Sequence, residues 1–142
     1  MRRWHTDQTG SMTLWMVGLT MLVLAIGGIS VDLWRAQAER RELAAIADAA
    51  AFAGASGLDT VAFRRDGSLQ LDPHLAEQLS RADLAVQDGA GRVHHVAVVA
   101  DPDHIRVTLE GEVDLTLLGL LAPGHDPLPV RVSATAEPQL VP

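Results

Sequence analysis

Residues 12–31 read MTLWMVGLTMLVLAIGGISV, twenty positions without a charge and with only Thr13, Thr20 and Ser30 as polar side chains. A helix of that length rises about 30 Å, the thickness of a bilayer's hydrocarbon core, so the stretch predicts a transmembrane helix. Arg2 and Arg3 precede it and Asp32 follows it. A cleaved secretory signal is the competing reading, and the two arginines suit it. Against it, the run exceeds the roughly 7–15 apolar residues of such a signal and lacks a good A-x-A site, Ala25-Ile26-Gly27 being the nearest approximation. The stretch is therefore read as an anchor. Its orientation stays open on arginine counts, with Arg2 and Arg3 on one side and Arg35, Arg40 and Arg41 on the other.

Working outward, no proline occurs before Pro73 and no glycine between Asp32 and Ala53, so the helix is expected to run on past the bilayer. Asp32, Arg35, Glu39 and Glu42 recur at helical spacing on one face, and Leu43, Ile46, Ala47 and Ala50 on another. Gly54 and Gly57 are expected to stop the helix by taking the left-handed conformation. Ala44, Ala47, Ala51 and Ala55 form a small-residue stripe that suits either the chain's own domain or a neighbouring subunit's helix. Asp32 and Arg35, one turn apart at the membrane edge, are expected to form an ion pair or a register-setting contact with another helix.

Beyond the helix, residues 59–68 read as a polar linker. Asp72-Pro73 then starts a second helix, with Asp as N-cap and Pro at the first position, and Leu75, Leu79, Ala82 and Val86 at helical spacing. Residues 92–100 are valine-rich. Residues 104–114 alternate with Ile105, Val107, Leu109 and Val113 on one face, and residues 130–137 alternate with Val130, Val132, Ala134 and Ala136. The expected fold is α+β: a long N-terminal transmembrane helix continuing into a small domain with a second helix and a three-stranded antiparallel sheet. The divisions are a leader at 1–11, the span at 12–31, a helix extension at 32–57 and a small α+β domain at 58–142, whose side of the membrane these residues leave open. Between the last two strands, residues 115–121 (LTLLGLL) are too apolar for an ordinary loop. They are expected to form a core-capping turn, or an exposed patch for a partner or the bilayer surface through Leu117, Leu118, Leu120 and Leu121.

Composition narrows the chemistry. The 142 residues contain no cysteine, which removes disulfides, thiolate metal sites and cysteine nucleophiles. Beyond residue 11, nine arginines stand against seventeen acidic residues, leaving −8, a poor partner for nucleic acid. The pattern contains no HExxH, GxSxG, GxxxxGK[ST] or DxDxDG sequence. His94 and His95, adjacent in a strand, are expected to face opposite ways and not to share a metal. Asp101 and Asp103 flank Pro102 in a turn, where acidic residues serve local hydrogen bonding. The expectation is a non-enzymatic protein without catalytic residues, metal or cofactor.

Residues 10–59, GSMTLWMVGLTMLVLAIGGISVDLWRAQAERRELAAIADAAAFAGASGLD, resemble the N-terminal region of TadE/TadG-like proteins of Tad (Flp) pilus systems. The shared pattern is a short charged leader, Gly-Ser, an apolar helix, Asp and Arg at its exit, and an ADAAALAGA-like stretch, here residues 47–55. The resemblance implies a membrane-anchored, pseudopilin-like or assembly-associated component of a type IV-related pilus or secretion apparatus. It implies partner subunits met through the N-terminal helix, and a C-terminal domain outside the cytoplasmic membrane. Gly10 and Ser11 would flank a pseudopilin processing site, but the fifth residue after Gly10 is Trp15 where processed members carry Glu. The departure fits the uncleaved TadG-like type better. A membrane-tethered binding module for a secreted or cell-envelope partner is the alternative.

Overall fold

The computed structural model describes residues 9–87, 93–113 and 127–139. Six elements follow in chain order: α1 (Thr9–Ala55), α2 (Thr60–Asp66), α3 (Pro73–Val86), β1 (Val93–Ala100), β2 (Ile105–Val113) and β3 (Leu128–Ala136). α1 is 47 residues long, about 70 Å at about 1.5 Å per residue, and stays helical through Gly27 and Gly28. Its N-terminal part stands clear of the molecule. Its last turns form one wall of a small α+β head.

The sheet is antiparallel in the order β1-β2-β3. Alternation places Ile105, Val107, Leu109 and Val113 on one face of β2, all four buried, while Arg106 and Glu112 are exposed on the other. β3 contributes Val132 and Ala134 to the same interior. α1 and α3 cover this face; Leu43, Ile46, Ala47, Ala50, Ala51 and Ala55 pack into one cluster with Leu71, Ala76, Leu84 and the inward strand residues. The core is aliphatic, as a chain with two Phe and no Tyr requires.

α1 and α3 meet through small residues. A Cβ on Gly54 would strike the Ile105 side chain, come within 2.5 Å of Ser80 Oγ and lie 2.9 Å from the Ala76 carbonyl; one on Gly57 would lie 2.8 Å from the Ala76 nitrogen. Ser80, fully buried, donates its hydroxyl to the Ala50 carbonyl at 2.5 Å. These glycines therefore permit contact between helices. Neither has a positive φ, so the expected left-handed stop is corrected: Gly67 alone among the described residues takes that conformation, at φ 75°.

Gly67 caps an element not anticipated. The expected linker at residues 59–68 contains the seven-residue α2, with Asp59 Oδ1 accepting from the Val61 and Ala62 backbone N–H groups. A Leu58–Leu71 bridge closes the excursion, and the Leu71 N–H donates to the Pro102 carbonyl in the β1–β2 turn at 2.8 Å. α3 starts at Asp72-Pro73 as expected, with Asp72 Oδ1 accepting from His74 and Leu75. Its buried face differs from the expected one. Ala76, Ser80 and Leu84 point inward, whereas Leu75 and Val86 are exposed, Val86 at 80%. Close approach to α1 selects the small side chains.

Candidate functional site: the apolar helix and its exit

Within residues 12–31 the large apolar side chains face outward: Leu14 is 76% exposed, Trp15 75% and Leu24 69%. None of the most apolar window of the helix is buried inside the molecule. That separates it from the core helix of a soluble protein, which hides such residues. Nine Leu, Ile and Val residues in the stretch favour insertion by roughly 3–5 kcal/mol on an insertion scale. Thr20 Oγ1 donates to the Met16 carbonyl and Ser30 Oγ to the Ile26 carbonyl, both at 2.8 Å. Such bonds hide hydroxyls from hydrocarbon, at the small cost to the helix that back-bonding to the preceding turn brings.

Trp15 and Trp34, both exposed, stand 19 positions apart, about 28 Å along the axis. That spacing is close to the thickness of a bilayer's hydrocarbon core, at whose two boundaries the aromatic belts lie. Gly18 leaves an open notch between Leu14, Trp15, Leu19 and Leu22. The backbone of Gly10 and Ser11 lies inside α1.

At the exit, Asp32 is 1% exposed and lies on the side of α1 that continues through Ala36, Glu39 and Leu43 toward the head's core. Arg35 is exposed. Neither of the two, nor Glu39 or Glu42, is without a partner. Ala47 and Ala51 are fully buried and Ala44 partly so, all against the chain's own head. The opposite side of the exit is an open groove lined by Ser30, Leu33, Trp34, Gln37, Ala38 and Arg41. Leu117, Leu118, Leu120 and Leu121 lie outside the described residues.

The head's polar residues are arranged for solubility. Arg131 pairs with Glu110 across the exposed sheet face, His104 Nε2 lies 3.8 Å from Asp101, and Asp101 closes the β1–β2 turn by donating its N–H to the His104 carbonyl at 2.8 Å. The pairing register shifts between Val93 and His95, so His94 sits in a bulge. Both histidines are consequently exposed, correcting the expected alternation, and His94 Nε2 lies 3.7 Å from Glu112. Among the described residues, no group of three or more His, Asp and Glu side chains is placed to hold a metal.

A small α+β head carried on one long, outward-facing apolar helix is the architecture of a stalk-and-head protein, and its helix fits a single-pass membrane anchor. Residues 10–57 match the family model described as "Putative Flp pilus-assembly TadE/G-like". The match takes in the apolar run, its exit and the buried alanines, about a third of the 142-residue chain. No curated protein and no solved structure matches the chain.

Proposed function

We propose that the chain is a structural or assembly-associated, pseudopilin-like component of a Tad/Flp-type pilus or secretion apparatus. In this reading residues 12–31 cross the cytoplasmic membrane once, residues 1–11 remain on the cytoplasmic side, and the acidic head faces outward. The coincidence of the family match at residues 10–57 with the outward-facing apolar run carries the reading. The chain acts through helix packing with other subunits and not by covalent chemistry. The Gly18 notch is one place where a neighbouring helix can approach closely, since the missing side chain leaves open space there, as it does at Gly27. Asp32 and Arg35, one turn apart at the exit, serve there as an interfacial ion pair or as a register-setting contact with another subunit's helix.

A reporter active only outside the cytoplasm, fused to the C-terminus, tests the topology, with N-terminal sequencing of the membrane-bound protein. An active reporter and a retained leader are expected. A new start at Ser11 makes the chain a processed pseudopilin despite Trp15. A silent reporter on a stably produced protein overturns the outward head, and with it the pilus role.

A further inference from the structure

The groove beyond the span is lined at positions 30, 34, 37 and 41, which follow one another at helical spacing along a single face of α1. Besides the Ser30 hydroxyl, which is spent on the Ile26 carbonyl, its polar side chains bring donors and a single positive charge. Trp34 offers an indole N–H, Gln37 an amide and Arg41 a guanidinium with five N–H donors, and no carboxylate lines the groove. Asp32 and Glu39 project roughly half a turn away, on the side that runs into the head. Arg41 makes no ion pair with another described residue.

The direction of the helix decides where these donors sit. Side chains on a helix lean toward its N-terminus, which for α1 means back toward the bilayer. Trp34 lies about 5 Å beyond the last residue of the uncharged run, and Arg41 about 10 Å beyond Trp34. Leaning back one turn brings the guanidinium to the level of Gln37. The headgroup layer is about 5–8 Å thick on each side of the hydrocarbon, so Trp34 and Gln37, leaning back, fall within it and the Arg41 guanidinium lies just beyond its outer edge, facing the phosphates. The head as a whole is acidic and is repelled by an anionic surface, whereas this face carries a cation and no lining carboxylate.

We infer that Trp34, Gln37 and Arg41 form a binding site for the headgroup phosphate of an anionic phospholipid. The inference rests on the membrane anchoring proposed above. The site holds the chain at a fixed depth, with the guanidinium on the phosphate and the indole at the hydrocarbon boundary.

The test uses the full chain in vesicles of equal phosphatidylglycerol and phosphatidylcholine. Lipids retained on mild extraction are counted by mass spectrometry. Phosphatidylglycerol is expected to be enriched about fivefold, the effect of one arginine at an anionic surface, and Arg41→Gln is expected to abolish the enrichment. Arg40→Gln, about 100° round the helix, is expected to leave most of it. Equal retention in wild type and Arg41→Gln overturns the site, and equal losses in the two variants reduce it to general charge attraction. Displacement of the lipid by millimolar inorganic phosphate assigns the groove to a free anion instead. Self-association lost on Arg41→Gln in phosphatidylcholine alone assigns it to a partner helix.

In a variant keeping Trp34 alone (Trp4→Phe, Trp15→Phe), bromines near the headgroup should quench its emission more than bromines deep in the acyl chain. The reverse order overturns the placement. Extraction of the chain by alkaline carbonate is a separate readout: release defeats the anchor itself, while a retained chain without lipid preference defeats only this site.

Discussion

Gly54 shows how one residue sets the geometry of the head. It lies in the last turn of α1, where α3 crosses, and its missing side chain is the space occupied by Ile105 and Ser80. Gly54→Ala is expected to destabilise the head by about 1–3 kcal/mol, because the Ala76 carbonyl on the third side is backbone and cannot swing away. Gly27→Ala meets nothing within 4 Å and is expected to be neutral or mildly stabilising. Thermal unfolding followed by circular dichroism in detergent separates the two. At the other end of the size scale, the Asp66 carboxyl is held below its ordinary value by Ser68. The Ser68 hydroxyl lies beside it without meeting hydrogen-bond geometry, while the Ser68 N–H donates to Oδ1 at 3.0 Å, with Arg65 adding a smaller effect. A depressed carboxylate favours the folded state above its unfolded value, and that contribution is lost as pH falls through the folded one. Ser68→Ala should move the Asp66 titration up toward the ordinary carboxylate value, read by side-chain NMR. An unmoved titration would leave the backbone N–H, with the smaller effect of Arg65, as the cause.

Among the elements, the strands were the most legible, because alternation alone places Ile105, Val107, Leu109 and Val113 inside and the structure buries all four. α1 was legible from its uncharged run, its lack of proline and its capable helix formers. The helices of the head were less so. α2 is seven residues long, too short for a period to show, and its signal was the Asp59 cap with Gly67 behind it. α3 announced itself at Asp72-Pro73, yet its larger apolar residues misled: Leu75 and Val86 are exposed while Ala76 and Ser80 are buried. Hydrophobicity scales reward size, whereas a close helix crossing rewards its absence. Ser80→Val should therefore force α3 off α1 and cost about 1–3 kcal/mol, despite being more apolar. Val86→Gln, at a position 80% exposed, should change stability by less than about 0.5 kcal/mol. Equal effects in urea unfolding would mean that the α1–α3 contact is looser than the hydroxyl bond from Ser80 to Ala50 indicates. The groove at Trp34 was illegible for a related reason: its residues are unremarkable singly, and only the face they share at the end of the span gives them a meaning.

For the whole molecule, the informative boundary is the one between what the bilayer holds and what the core holds. Among the described residues all members of the buried cluster lie at or beyond Leu43, so residues 12–31 contribute nothing to it, although six of these fifteen residues (Leu43, Ile46, Ala47, Ala50, Ala51 and Ala55) come from α1. A chain begun at Asp32 is accordingly expected to fold as a soluble head, with a cooperative transition and dispersed amide resonances. A chain begun at Leu58 loses those six side chains and exposes the inner faces of Val107, Leu109 and Val132. At roughly 25 cal/mol for each Å² of apolar surface left unburied, that loss exceeds the few kcal/mol by which a domain of this size is stable. It should be unfolded or aggregated by the same measurements. The comparison bears on mechanism as well as stability. Because the end of the stalk is also the wall of the core, a pull or tilt on the span acts on a packed helix and is passed to the sheet. A folded chain beginning at Leu58 would instead mean that α1 is merely tethered to the head, and that forces on the helix stop at residue 57.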